Sequence, residues 1–270
     1  RVQQPTGRIN LQAVSVSAGT WDVRAPQEQF IELSQTGTTL LTVRGTLSGL
    51  VDSPRPQQLT FRASQPLRLQ DAILAAETVT LFGASISANA QTEIQATRVS
   101  AEAAGSIRLY TASDIVSAVA TGPGDVQITN TGALTAELVS ALNGIVALFA
   151  TGNLTAVRVI QQTDGSGKDV QLTSDANIYV DYIDAGQAAG VNRAASKAIL
   201  RAKGTIQEAP DRLDNAPPTG ISQQSAFNIV DVVAWKNVFY HDQPMADPKL
   251  IQSASDVGLG TELEIVYTAF

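Results

Sequence analysis

Gly124-Asp-Val-Gln-Ile-Thr-Asn-Thr-Gly-Ala-Leu-Thr-Ala136 is followed, after a short joint, by Gly144-Ile-Val-Ala-Leu-Phe-Ala-Thr-Gly-Asn-Leu-Thr-Ala156. Each stretch carries two apolar residues two apart, Val126 with Ile128 and Val146 with Leu148. A third, Leu134 or Leu154, answers them eight positions after the first. The same spacing recurs in Ile107, Leu109 and Ile115, in Val170, Leu172 and Ile178, and in Ala198, Leu200 and Ile206. Inside a unit the spacing is constant, while the step between units grows from 19 to 20, 24 and 28 residues. Self-similarity at a period of about 20 to 50 residues is the signature of solenoids and arrays. A rigid unit with elastic joints predicts a coil whose strands stack and whose loops bulge.

Alternating residues of a strand face opposite ways, so the paired residues of each unit point to the same side. A turn-forming pair follows in Thr131-Gly132, Thr151-Gly152, Ser174-Asp175 and Lys203-Gly204. Beyond the answering residue, Ala136, Ala156 and Val180 are further inward candidates, and so are Val139, Val159 and Ile183. Three short strands around a triangular section place all of them inside. Stacking then predicts a ladder of Leu109, Ile128, Leu148, Leu172 and Leu200, spaced about 4.8 Å per coil.

The pattern extends backward through Leu59, Phe61 and Leu67, with Leu69 and Ala72 continuing it. Ile94, Ala96 and Val99 fit the second half of a unit whose first half is open between Val79-Thr80-Leu81 and Ile86-Ser87-Ala88. Ile9 with Leu11, Val14 with Val16, and Ile31 with Leu33 read as coil strands without a firm phase. Pro54 and Pro56 cannot donate ladder hydrogen bonds and mark a loop. The expectation is an all-β, parallel β-helix over residues 1–207, of roughly eight to ten turns and on the order of 40–50 Å long. A Pro-rich connector covers 208–220 and an atypical cap or docking segment covers 221–270. Within that segment, residues 226–240 fit both helix and strand templates, and 261–270 read as an end strand.

Hydrophobic residues make up 44% of the 270 and mean hydropathy is +0.04, which argues against disorder. Charged residues are only 16%, below the roughly 25% of an ordinary soluble domain. Eighteen basic against 25 acidic residues give a net charge of −7. That balance argues against nucleic acid, whose phosphates require clustered Lys and Arg, and against anionic membrane surfaces. No apolar run is long enough for a membrane-spanning helix. Without cysteine there is neither a disulfide nor a thiolate metal site. The chain opens at Arg1 with no signal-peptide pattern, as expected of a processed product or a piece of something longer.

The two stretches quoted first resemble the repeats of filamentous haemagglutinin-like bacterial exoproteins, and the resemblance covers roughly residues 59–207. Its motif consists of alternation, Gly and small residues at fixed offsets. The resemblance implies a right-handed parallel β-helical shaft, secretion or cell-surface location, and adhesive or scaffolding work. The segment beyond 207 has no counterpart in it.

Parallel β-helices also house polysaccharide-cleaving enzymes, whose sites need clustered carboxylates on neighbouring coils. Asp125 and Asp169 occupy equivalent positions, but Ile145 falls between them, and solvated outward residues are the expectation. The single histidine, in His241-Asp242 near Asp247, is too thin a set for a metal site. Gly165-Ser-Gly167 reads as a flexible loop tip, and Tyr179 interrupts the Thr135–Thr155 file that an ice-binding face would need.

No catalytic, cofactor-binding or metal-ligating residue is therefore assigned. The longer joints, residues 161–168 and 184–197, enter at one corner of consecutive turns and predict a ridge bearing Asp164, Lys168, Asn192, Arg193 and Lys197. Trp235, Phe239, Tyr240, Ile265 and Tyr267 are candidates for covering the open end or docking another subunit. The expected function is non-catalytic: a structural or adhesive segment of a secreted or cell-surface protein, able to assemble head to tail. Its expected partners are itself, neighbouring domains of a larger exoprotein, or glycans. A carbohydrate-active β-helix enzyme and a polysaccharide-binding module are the alternatives.

Overall fold

In the computed structural model, parallel strands stack coil upon coil into a β-solenoid of about six turns, with no helix among the described residues. The structure describes residues 2–3, 9–12, 23–24, 30–35, 41–47, 57–163, 165, 167–181, 183–185, 197–204, 206–208, 229–234, 239–240 and 243–244. The expectation of eight to ten turns also drew on stretches, such as Val14 with Val16, that lie outside these.

The first wall carries the predicted ladder. Leu69, Ala88, Leu109, Ile128, Leu148, Leu172 and Leu200 stand in register on successive coils. None is more than 5% exposed, so the column is dry from end to end. Burying each large aliphatic side chain contributes about 1.5–3 kcal/mol. A second wall stacks Leu59, Val79, Val99, Val116, Ala136 and Ala156. A third stacks Phe61, Leu81, Ala101, Ala118, Val139, Val159 and Ile183. All of these are buried and belong to one continuous core.

Register corrects three readings of phase. Ile115 does not answer Ile107: it pairs with Thr135 and is half-buried, while Val116 takes the inward slot beside Ala136. Thr111 pairs with Asn130, so this coil rounds its corner with one residue fewer than the next. Leu59 and Phe61 keep the expected offsets but lie on the second and third walls, and Leu67 with Leu69 supplies the first-wall pair. Likewise Val99 falls in the column of Ala136 rather than that of Val139. The open choice resolves to Ile86–Ala88 as the first-wall strand, with Val79 and Leu81 on the other two walls. Ile9 with Leu11 and Ile31 with Leu33 gain their phase beneath Leu59 and Phe61. Residues 229–234 form a strand rather than a helix, in parallel register with Lys197–Ala202.

Polar residues shape the corners. Asp71 adopts φ 51° where the 17-residue strand Leu67–Gly83 bends, a conformation Asp tolerates when held locally. Its amide donates to Asn89 Oδ1 at 3.0 Å, and Asn89 Nδ2 donates back to Asp71 Oδ1 at 2.8 Å. Asn130 is fully buried at the next kind of corner. Its Oδ1 accepts from Thr111 Oγ1 at 2.7 Å and from the Ser113 amide at 3.0 Å, while Nδ2 donates to the Ala133 carbonyl at 2.9 Å. Asn130→Ala leaves those buried partners unmatched and should lower stability by about 2 kcal/mol, read from the denaturant midpoint. A loss below about 0.5 kcal/mol would mean that water replaces the amide.

Gln161 departs from the column it stands in. Ala103, Ala120, Ala141 and Gln161 share a column, so Gln161 places an amide where the three coils before it place a methyl group. It is fully buried, and neither Nε2 nor Oε1 has a hydrogen-bond partner in the protein. An unmatched buried amide costs about 1–3 kcal/mol. Gln161→Leu should therefore raise stability by about 1 kcal/mol in denaturant titration; an unchanged or lower midpoint would contradict that.

Candidate functional site

The two longer joints leave and re-enter the coil at matched positions. Gln161 pairs with Ala185 before them, and Val170 pairs with Ala198 after them. The first joint is pinned at its start: Gln162 Nε2 donates to Ser140 Oγ at 2.9 Å, and Thr163 Oγ1 donates to the Leu142 carbonyl at 2.6 Å. At its tip the Lys168 amide donates to the Gly165 carbonyl at 3.0 Å, and Gly167 sits at φ 74°. A Cβ on Gly165 would lie 2.9 Å from Lys168 Cδ, so the glycine makes room for the lysine stem. Lys168 is half-buried. Lys197 opens the strand Lys197–Ala202, while Asp164, Asn192 and Arg193 lie outside the described residues. Of the docking candidates, Phe239 and Tyr240 form a short strand antiparallel to Gln243–Pro244. Trp235, Ile265 and Tyr267 lie outside the described residues, as does His241.

A second candidate surface lies on the outside of the first wall. There the residues between the ladder positions also stack, giving one outward column of Arg68, Ser87, Arg108, Gln127, Ala147, Gln171 and Ile199. Beside it runs Tyr110, Thr129, Phe149, Thr173 and Arg201. The small side chain of Ala147, set between two glutamines, leaves a depression of ≈ 210 Å³ bordered by Gln127, Thr129, Phe149, Gln171 and Thr173. Arg108 donates to Gln127 Oε1 from Nε at 3.0 Å and from a terminal nitrogen at 2.7 Å, which orients the amide.

Comparison with known families, curated proteins and solved structures finds no match. The β-solenoid must be read from its own geometry. Asp125, expected to be merely solvated, ties two coils together, its Oδ1 accepting the Ile145 amide of the next coil at 2.9 Å. Asp175 pairs with Lys203 on the following coil at 2.8 Å. Among the described residues, no group of three or more His, Asp or Glu side chains could hold a metal ion. No helix among the described residues is long and apolar enough to cross a membrane.

Sequence reasoning found the joints through their growing length and missed the first-wall depression. The signal was present in the outward offsets, where Gln127, Ala147 and Gln171 repeat a polar–small–polar order. Reading it required knowing which residues share a column.

Proposed function

We propose that this chain is a structural rod segment of a secreted or cell-surface protein, of the filamentous haemagglutinin-like kind. It serves adhesion or builds an extracellular structure, without catalysis, and its end segment joins copies or neighbouring domains head to tail. The observation that supports this reading is the dry column from Leu69 to Leu200, unbroken while the joints outside it vary freely in length. Such a body gains stiffness from nearest-neighbour stacking and leaves its surface free to diverge. Strand edges at the ends of a solenoid are natural points of association unless covered.

Electron microscopy of the purified full chain tests the reading. Straight rods that join end to end are expected, and a chain truncated at residue 209 should remain as single rods. Compact particles, or specific cleavage of a polysaccharide by the purified chain, would refute it.

A further inference from the structure

We infer that the third wall of the rod opens on its own at Gln161, swinging Val159–Gln161 and Ile183–Ala185 off the core while the first and second walls stay shut. Burial is the first argument. Gln161 is fully buried, and neither Nε2 nor Oε1 meets a partner in the protein. Ser140, buried on the coil before, accepts from Gln162 Nε2 instead. An unmatched buried amide favours any state in which water reaches it, by about tenfold or more in the opening equilibrium. The hydrophobic cost of opening is also small on this wall. It exposes Val159 and Ile183, whereas the first wall of the same two coils holds Val146, Leu148, Val170 and Leu172.

Connectivity is the second argument. On earlier coils a single strand runs unbroken from the second wall into the third, in Glu93–Ala103, Ile107–Pro123 and Leu134–Asn143. On the next coil it is cut in two, with a bend at Val157 and Arg158 between Leu154–Ala156 and Val159–Gln161. The coil after repeats the cut between Ile178–Val180 and Ile183–Ala185. A three-residue strand set off by a bend can leave without dragging the neighbouring wall with it. Among the described residues, Ile183–Ala185 also pairs on one side only, with Val159–Gln161. The first wall continues beyond it to Lys197–Ala202 and Ile229–Ala234, and the second to Ile206–Glu208. Stacked units open most readily where the stack ends. Opening bares the ladder edge of Val139–Ala141, and the bonds from Gln162 to Ser140 and from Thr163 to the Leu142 carbonyl form the latch that opposes it.

The proposal goes beyond the rod reading, and the two fail separately: particle shape tests one and amide exchange the other. Hydrogen–deuterium exchange of the full chain, read by mass spectrometry on short peptides, is the experiment. Residues 157–163 should exchange about tenfold faster than residues 146–150 on the first wall of the same coil. Their rate should barely respond to mild denaturant, because a local opening exposes little surface. Gln161→Leu should slow exchange at 157–163 by about tenfold. Circular dichroism confirms folding, and Gln161→Met, close to glutamine in length, serves as the second variant should Gln161→Leu fail to fold. Equal protection of the two walls, a denaturant response at 157–163 matching that of the first wall, or unchanged exchange in a folded apolar variant would each overturn the proposal.

Discussion

Gly144→Ala is expected to lower the stability of the rod by about 3 kcal/mol, the upper range for forcing a methyl group into close-packed surroundings. A Cβ at this position would run into the carbonyl of Gly124 on the coil before it and lie 2.8 Å from Asp125 Oδ1. Gly124 faces the same obstacle one coil earlier, since its Cβ would sit 2.6 Å from the carbonyl carbon of Gly105. The backbones of successive coils approach so closely at this corner that relief requires coils to separate, which breaks ladder hydrogen bonds on the adjoining wall. Gly132 supplies the contrast. It sits at φ 94° with open space around the missing Cβ, so Gly132→Ala adds backbone strain alone, about 1–2 kcal/mol. Denaturant midpoints of the two variants, measured side by side, check this. Equal losses would mean that the corner at Gly144 is soft.

Leu148→Asp should unfold the coil that bears it, at a cost of at least about 5 kcal/mol. Two terms add: lost aliphatic burial, and a carboxylate forced to stay neutral or to draw in water. Leu148 is 2% exposed, with Ile128 and Leu172 in register on either side. The next residue along the strand, Phe149, points outward, so Phe149→Asp should cost no more than about 1 kcal/mol. The difference between neighbours is the test. Leu148→Ala should fall between them at about 3 kcal/mol. Comparable losses for the Leu148→Asp and Phe149→Asp variants would show that the two residues do not face opposite sides of a wall.

Residues 107–206 made the columns legible, because the aliphatic residues in mid-strand inward slots repeat whatever the joint outside them does. Leu109, Ile128, Leu148, Leu172 and Leu200 align as their spacing predicts. Phase across corners was not legible, for a physical reason. A corner can absorb or drop one residue without disturbing the walls, as Thr111 to Val116 does against Asn130 to Ala136. Since strand periodicity is two, that single residue exchanges the inward and outward sets beyond it, which is why spacing points to Ile115 where the inward residue is Val116. Early coils hide their corners further, because Leu67–Gly83 and Ile107–Pro123 run as 17-residue strands with no Gly-centred turn to punctuate them.

The surface features follow the same division. Loop length announced the corner of the joints, and Lys168 is placed there by the turn at Gly165. The first-wall depression depends on Ala147 lying between Gln127 and Gln171, which are remote in sequence and adjacent only through stacking. Gln161 was silent for a similar reason, since a glutamine at a strand end reads as exposed until its alanine column is known.

Electron–electron dipolar spectroscopy on spin-labelled cysteine pairs tests the stacking most directly. Arg68, Gln171 and Ile199 all lie in one outward column, with Gln171 and Ile199 on adjacent coils although 28 residues apart. Labels at 68 and 171 should lie about 24 Å apart and labels at 68 and 199 about 29 Å apart, so the separation grows by only about 4.8 Å. A much larger increment, or one broad distribution for both pairs, would contradict the solenoid.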